Sequence, residues 1–517
     1  MILRFAIAFL LFSVFINAED KRPNIVLILC DDMGYSDIGC YGSEIKTPYL
    51  DSLAAGGIRY SQMYNTSKCT TTRSSILTGR YVTGASYSPN YDKGPTIGEA
   101  LKKVGYRTLW SGKNHSTILP PERGFDRFYG FQGGACNFWN PGDKLQNGGK
   151  FPHIKAYQWM VDDKWLPKYI PEDPNYFMTD VITDNAVSWL KQYAGEDKPF
   201  FLFLAYNAPH WPLHAPDKDI AKYKGVYDVG YQKIRQARYK KMIEMGVIDP
   251  QTAPLYPGKI AEWESLSESE KKLEAKRMEI HAAMVDNMDQ NIGRVVELLK
   301  EQKEFENTLF LFLTDNGASH ERDKRAFKNY KPTGNEKMGG VMSYECIGFN
   351  WAQVANTPLA RHKTTSHEGG VNTPFIAHWS KGIKSSSGWE HQSAHLVDIM
   401  STAIELAGTE YPSDFKGKKA MPLQGVSLAP TFKNGALKKR STPIGYNFGR
   451  GKGVRVDNWK LVSFSNGPWE LYNMQKDRTE TVNLASKMPE KVKEMIKQYD
   501  QWFNTAQQGL KVKKKKK

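Results

Sequence analysis

Cysteine is scarce in this sequence, and its scarcity narrows the classes of protein to consider. Five cysteines in 517 residues are too few for a disulfide scaffold. No CxxC pair occurs, so zinc held by paired cysteines is not expected. An odd number in an exported chain predicts at least one unpaired thiol. The five are Cys30, Cys40, Cys69, Cys136 and Cys346.

Long apolar runs are also few. Residues 5–15 form one, too short to span a bilayer comfortably, between Arg4 and the small residue Ala18. This pattern predicts a cleaved signal peptide over residues 1–18 and an exported protein, periplasmic or extracellular. An uncleaved membrane anchor is the alternative. No later segment resembles a transmembrane helix, so we expect no stable membrane insertion.

Acidic residues are outnumbered by basic ones, 55 to 71, which gives a formal charge of +16. A positive surface suits an anionic substrate or matrix, although a generic basic protein would carry the same charge. Residues 511–517 are almost all lysine and predict a solvated tail. No nucleic-acid-binding motif occurs, so no nucleic acid partner is expected.

Apolar material is sufficient for a large core, at 40% of residues. Continuous apolar runs at Asn24–Cys30, Phe200–Leu204 and Leu309–Leu313 predict buried parallel strands. Helical patterns at Thr47–Gly56 and between the later runs alternate with them. The expected fold class is α/β, with a doubly wound, mainly parallel sheet flanked by helices.

A smaller C-terminal unit is expected. Residues 412–443 are rich in glycine, proline, lysine and serine, which is typical of a boundary. Residues 453–464 predict short antiparallel strands, and Pro489–Phe503 predicts a closing helix. We therefore expect a main domain over 22–410 and an α+β subdomain over 411–510. The charged stretch 212–279 is expected to be a surface excursion that carries helices.

Oxygen-bearing side chains follow two of the predicted strands. Asp31 and Asp32 come directly after one, and Asp315 and Asn316 follow another. Ligands bind beyond the carboxyl ends of strands in open parallel sheets, so these groups should converge. Their oxygens suit calcium or magnesium. The alternative is that each aspartate only caps a helix.

Cys69 opens a predicted helix over Cys69–Leu77, and Arg73 lies on the same face one turn later. A cysteine at a helix N-terminus is expected to have a depressed pKa and to sit where anions bind. The alternative is a buried structural cysteine beside an exposed arginine.

Basic residues cluster in three other places. Lys113 and His115 follow one strand-like run, His210 follows another, and Lys363 lies in an Arg-His-Lys triplet. Solvated lysines and hydrogen-bonded loop histidines would explain each cluster alone. Cations gathered around an oxygen-ligated metal instead indicate a site for a tetrahedral dianion or monoester.

The motifs together resemble the type I sulfatases of the alkaline-phosphatase-like superfamily. They are RPNIVLILCDDMGYSD, CTTTRSSILTGRY, GKNH, NAPHWPLHAP, TDNGA, NTPLARHKTTSHEGGVNTPFIAHW and, in the C-terminal part, WELYNMQKDRTETVNLA. Each motif alone is modest evidence, but their order and spacing across nearly the whole mature chain are specific.

The resemblance implies that Cys69 is oxidised to formylglycine by a sulfatase-maturing enzyme. The hydrated aldehyde would attack a sulfate ester of a small molecule or glycan and then release sulfate. The calcium ligands would be Asp31, Asp32, Asp315, Asn316 and the modified Cys69. Arg73 and Lys113 would steady the diol and metal, and His115 would regenerate the aldehyde. His210 and Lys363 would bind sulfate oxygens and assist the leaving group.

Two positions depart from the family pattern. Thr71 stands where the maturation motif has proline or alanine, and Asn114 replaces an aromatic residue. The alternatives are a phosphoester hydrolase of the same superfamily and an unconverted pseudo-sulfatase that binds sulfated glycans.

Overall fold

The computed structural model describes residues 22–83, 91–149, 158–321, 337–384 and 388–508. The predicted signal peptide and lysine tail lie outside these residues. No helix in the described part of the chain is long and apolar enough to cross a membrane.

A large mixed sheet forms the centre of the molecule. Its hydrogen-bonded order is β10-β2-β9-β8-β1-β7-β3-β4-β5-β6, and β11 pairs with β2. The strands from β8 to β4 run parallel, whereas β9, β5 and β6 pair antiparallel with their neighbours. The eleven strands are β1 (Asn24–Cys30), β2 (Ile58–Tyr64), β3 (Arg107–Lys113), β4 (Arg127–Phe131), β5 (Trp159–Val161), β6 (Lys164–Leu166), β7 (Phe200–Ala205), β8 (Thr308–Thr314), β9 (Asn372–His378), β10 (Gly388–Glu390) and β11 (Ala394–His395).

Helices cover both faces of this sheet. They are α1 (Pro48–Ala55), α2 (Cys69–Thr78), α3 (Ile97–Lys103), α4 (Met178–Gln192), α5 (Asp217–Ile220), α6 (Gly230–Glu244), α7 (Glu268–Glu301), α8 (Gly348–Ala355), α9 (Glu368–Val371), α10 (Asp398–Leu406) and α11 (Pro489–Gln508). Alternate residues of β1 point to opposite faces: Val26 and Ile28 join one core cluster, and Ile25 and Leu27 join the other. The predicted doubly wound α/β class is confirmed.

The C-terminal part contains a small antiparallel sheet, as expected. Its strands are β14 (Ile444–Phe448), β15 (Gly451–Val456), β16 (Trp459–Phe464) and β17 (Glu470–Asn473), preceded by the short pair β12 (Asp414–Phe415) and β13 (Lys418–Lys419). Val454, Leu461 and Trp502 belong to the same core cluster as Leu27 of β1. The subdomain thus shares a core with the large sheet, and its boundary near residue 411 stays a prediction.

One expectation was wrong. Residues 212–279 are not a surface excursion, because Tyr227, Tyr231, Met242 and Trp263 are buried in the core cluster on one face of the sheet. Most charged residues of the segment face solvent, but some form buried ion pairs beside these rings, as between Arg238 and Asp37 at 2.7 Å.

Candidate active site

The acidic residues leave the sheet side by side from β1 and β8. Asp31 and Asp32 follow β1, and Asp315 and Asn316 follow β8. The two strands pair in parallel, with Cys30 opposite the last residue of β8. The backbone N–H of Asp315 donates to the carbonyl of Cys30 at 3.1 Å, which extends the pairing by one step. The predicted convergence at this edge is therefore observed.

Three ligand atoms meet where a cation could bind. Carboxylate oxygens of Asp31 and Asp315 and the sulfur of Cys69 lie within 4.8 Å of one another. Oδ1 of Asp31 and Oδ1 of Asn316 are buried and accept no hydrogen bond from the described residues. Buried oxygens without donors are costly unless water or a cation satisfies them. Since the donor set consists mainly of hard oxygens, these residues fit a calcium ion.

Two cations border the acidic residues on one side. Arg73 donates through Nη2 and Nε to Oδ2 of Asp315, at 3.1 and 3.2 Å, and through Nη1 to the carbonyl of Lys113 at 3.0 Å. Lys113 is the last residue of β3. Its ammonium group contacts Asp31 and donates to the carbonyl of Gly134 at 2.5 Å. All the charged side chains in this group are buried.

Asp32 is held by a third cation. Nζ of Lys363 lies 2.6 Å from its Oδ1, and Nδ2 of Asn316 donates to the same oxygen at 2.7 Å. The φ angle of Asp32 is +66°, a left-handed conformation that residues other than glycine seldom adopt. These contacts hold the strained residue against the cluster, which is typical of functional sites. We call Asp31, Asp32, Asp315, Arg73, Lys113 and Lys363 the active-site cluster.

The two predicted histidines lie on different sides of this cluster. Nε2 of His210 is 3.4 Å from Asp32, and its Nδ1 bonds the carbonyl of Trp211 at 2.7 Å. Burial lowers the pKa of His210 to about 4, against the pull of Asp32. His115 lies against Gly134, where an added Cβ would come within 2.9 Å of its ring. Burial and then Lys113 hold its pKa well below the usual range. Both imidazoles are thus neutral near pH 7.

The pKa values of the two central carboxyl groups, Asp31 and Asp315, are shifted in opposite directions. Burial disfavours ionisation of Asp31, but Lys113, His210 and Arg73 outweigh it and lower its pKa. For Asp315, burial and the charge of Asp31 raise the pKa well above the usual range, although Arg73 opposes them. A cation placed between the two carboxyl groups would favour the ionised form of both.

The depressed thiol pKa that was expected for Cys69 is wrong. Cys69 does open α2, but burial raises the pKa of its thiol, and the nearby Lys113, Lys68 and Lys363 offset this only in part. The desolvation of a side chain that is 1% exposed outweighs the helix terminus and the lysines. The residue is therefore not a ready thiolate nucleophile. Cys30, Cys40 and Cys136 are likewise buried, free thiols.

Some residues of the site were missed by sequence reasoning. The carbonyl of Gly134 accepts from Lys113, and nothing in the local pattern indicated it. Gly112 has a φ of +115°, and a Cβ there would lie 2.0 Å from the carbonyl of Ala205 on β7. The glycine directly before Lys113 could have indicated this contact between β3 and β7, because only glycine allows the two backbones to approach so closely.

Three buried aspartates that meet three buried cations at the ends of parallel strands are typical of a class of enzyme, the hydrolases of tetrahedral esters. The family is given by a direct match. A model of the sulfatase family matches residues 23–409. A second model, the C-terminal part of N-sulphoglucosamine sulphohydrolase, matches residues 362–508. The chain belongs to the sulfatase family and is a sulfuric ester hydrolase.

Individual relatives agree with this assignment. The chain is 33% identical to an arylsulfatase of Klebsiella aerogenes, with 80% of this chain and 92% of that protein covered. It is 26% identical to the human N-acetylgalactosamine-6-sulfatase, over 83% of this chain and 69% of that protein. In the crystal structure of Ps i-CgsB with k-i-k-neocarrahexaose, the fold matches with a TM-score of 0.67 at 24% identity, over 94% of both chains.

Proposed function

We propose that this sulfatase hydrolyses sulfate esters of carbohydrates, with an oxidised Cys69 as the nucleophile and one calcium ion in the active-site cluster. The observation that carries the proposal is the meeting of Cys69 with Asp31 and Asp315, beside buried oxygens that lack hydrogen-bond donors. An ordinary thiol there has a raised pKa and would attack sulfur poorly. A formylglycine, as its hydrate, supplies one oxygen to attack and a second to expel sulfate.

Calcium would be held by Asp31, Asp32, Asp315, Asn316 and the modified Cys69. When bound, it polarises the ester and the nucleophile. Asp31 and Asp315 have opposite pKa shifts, because one faces Lys113 and the other faces Asp31. Binding a divalent cation would remove this conflict, and that is a reason for calcium affinity.

The remaining residues position groups and move protons. Arg73 and Lys113 fix the carboxylates through the contacts described above and orient the modified side chain. Lys363 and His210 both contact Asp32, so a sulfate ester placed beside Asp32 would meet the ammonium of Lys363 as a donor. Its negative charge would favour protonation of His210 at Nε2, since Nδ1 already donates to the carbonyl of Trp211, and the imidazolium would then be the second donor. We assign them to the sulfate oxygens and to protonation of the leaving oxygen. His115, neutral through burial, is suited to accept the proton whose removal expels sulfate.

Carbohydrate sulfates are favoured over other sulfate esters by the relatives. One is named for N-acetylgalactosamine 6-sulfate, and a structural neighbour was crystallised with a neocarrahexaose. Export to the periplasm or the exterior, as the N-terminus predicts, would bring the enzyme to such polymers. A sulfatase-maturing enzyme would be needed as a partner, despite Thr71.

The test is to produce the protein with and without a maturing enzyme. Sulfatase activity should follow the aldehyde content at position 69, measured by peptide mass, and Cys69→Ala should be inactive in every host. Full activity of Cys69→Ala would refute the mechanism. Activity on phosphate esters alone, or bound transition metals in place of calcium, would favour the phosphoester hydrolase. An unmodified Cys69 in the native source would favour the glycan-binding pseudo-sulfatase.

A further inference from the structure

Five side chains adjoin the active-site cluster but take no part in the chemistry proposed above. Four segments of the chain supply them. They are Lys68, His320, Glu321, Phe349 and His362, and we call this set the rim.

The backbone fixes the rim against the cluster. The N–H of Lys363 donates to the carbonyl of Ala318 at 3.1 Å, which brings the segment ending in Glu321 beside Lys363. The N–H of Thr364 donates to the carbonyl of Ser67 at 2.9 Å, which brings Lys68 to the same place. The rim is therefore tied to the two segments that carry Cys69 and Lys363.

Three rings of the rim contact one another in a row. His320 and His362 are stacked face to face, with centroids 3.8 Å apart and planes inclined by 24°. Phe349 meets His362 edge on at 5.6 Å, and it is 39% exposed. Nδ1 of His362 bonds the carbonyl of Lys363 at 3.0 Å. A lone exposed phenylalanine is ordinary, but this one ends a row of rings that starts beside a residue of the cluster.

The other part of the rim is charged and reachable. Nζ of Lys68 lies 3.9 Å from Oε1 of Glu321, and their side chains are 19% and 22% exposed. The distance is too long for a hydrogen bond, so the carboxylate keeps acceptor capacity. Burial opposes ionisation, but Lys363 and Lys68 lower the pKa of Glu321 to about 2. Glu321 is thus a fixed anion at the edge of the active site.

We propose that the rim is a saccharide subsite, in which Phe349 packs on a sugar face and Glu321 accepts hydrogen bonds from sugar hydroxyl groups. This inference rests on the proposed function, because it deepens the substrate class. Sugar rings present an apolar C–H face and an edge of hydroxyl donors, which matches an exposed aromatic at one end of the row of rings and a carboxylate next in sequence to the ring at the other end. A second sulfate at the hydroxyl position would be repelled by Glu321. The preferred substrate therefore carries a free hydroxyl there.

Two variants and three probes test the subsite in the matured enzyme. Phe349→Ala should raise the KM for a sulfated mono- or disaccharide about three- to tenfold, because ring packing is lost. Glu321→Gln should raise it about tenfold, because a charged acceptor is lost. With 4-nitrophenyl sulfate, which has a ring but no sugar hydroxyls, Glu321→Gln should leave KM unchanged. The inhibition constant of inorganic sulfate should not respond to Phe349→Ala.

Leu273→Ala on α7 is the matched control, since Leu273 is 37% exposed and lies outside the rim. The same substitutions made in Cys69→Ala allow saccharide binding to be measured by calorimetry without turnover. Inactivity of the matured wild-type enzyme on every sulfate would refute the proposed function. Saccharide KM and affinity within twofold of wild type in both rim variants would refute the subsite alone. Tighter binding of disulfated sugars than of monosulfated ones, unchanged by Glu321→Gln, would also refute it.

Discussion

Two of the buried clusters of charge in the described part of the chain are similar in make-up and differ in what they leave unsatisfied. One is the active-site cluster. The other, which we call the C-terminal cluster, joins α9 to the small sheet and consists of Tyr64, Glu368, Arg455, Lys460 and Glu480.

In the C-terminal cluster the charges face each other. Nζ of Lys460 lies 2.6 Å from Oε1 of Glu368 and 2.9 Å from Oε1 of Glu480, and the N–H of Glu368 donates to Oε2 of Glu480 at 2.7 Å. Oε1 of Glu480 accepts no hydrogen bond of good geometry from the described residues, but a cation of the cluster already lies beside it. In the active-site cluster Asp31, and beside it Asn316, each retain a buried oxygen that has no donor and no cation beside it among the described residues. A buried ionic cluster holds a fold together when its own donors meet its acceptors. It becomes a binding site when acceptors are left over.

The largest effect that separates the two clusters is expected from Asp315→Asn. Activity should fall about 1,000-fold or more, since a ligand that also holds Arg73 is lost. The free energy of unfolding, compared between the wild type and the variant in excess chelator, should change little. The pKa of Asp315 is raised in the folded protein, so the fold already disfavours its ionised form, and a neutral amide removes that cost. Sulfatase assays and denaturant unfolding of the same sample measure both. A large loss of stability would contradict the contrast.

Lys460→Met should show the opposite pattern. Removing the one lysine between two buried glutamates leaves uncompensated charge and should cost about 3–5 kcal/mol of unfolding free energy. Lys460→Met combined with Glu480→Gln should recover part of the loss, because one of the stranded charges is then neutral. The shift in the denaturant midpoint of each variant measures the loss of stability and its recovery. An unchanged midpoint in Lys460→Met would show that the C-terminal cluster does not hold the fold together.

Removal of calcium should destabilise one cluster only. At a free concentration one hundred times Kd, the bound ion contributes about 2.7 kcal/mol, so chelation should lower Tm. The Tm of Asp315→Asn should respond much less to chelator, whereas Lys460→Met should keep its response. Equal changes of Tm in the wild type and Asp315→Asn would show that the ion does not bind at this site.

The smallest expected effect comes from a contact between the small C-terminal sheet and the segment that carries Lys363. A Cβ at Gly451 would lie 2.9 Å from the backbone nitrogen of Ser366 and 3.1 Å from the carbonyl of Thr364. Gly451→Ala should displace this segment, which carries Lys363, and lower kcat about tenfold, or about 1.4 kcal/mol. Lys452→Ala on the same strand is the control. A kcat equal to that of the control would mean that the segment absorbs the methyl group.

The sequence predicted some parts of the molecule well for identifiable reasons. β1, β7 and β8 are continuous apolar runs, as strands buried on both faces must be. β2 (IRYSQMY) mixes polar and apolar residues and was missed, although all its side chains except Arg59 are buried. Long-range bonds satisfy its polar atoms, as when Tyr60 meets Thr431, and such partners are invisible locally.

The active-site cluster was found because its residues sit in motifs of fixed order, and strand ends explain why several of them converge. The rim was not found, since Glu321, Phe349 and Lys68 lie far apart in sequence and belong to no such motif. The depressed thiol pKa expected for Cys69 was wrong because burial is a property of the assembled fold.

The shared core sets an order of events during synthesis. Cys69 leaves the ribosome well before Trp502, which packs in the core cluster that contains β1. At about 5–20 residues per second, the intervening 433 residues take roughly 20–90 seconds to be translated. For that interval the complete core cannot form around α2. Once it has formed, Cys69 is 1% exposed. An enzyme that modifies this side chain must therefore act in the interval between the synthesis of Cys69 and the completion of the core.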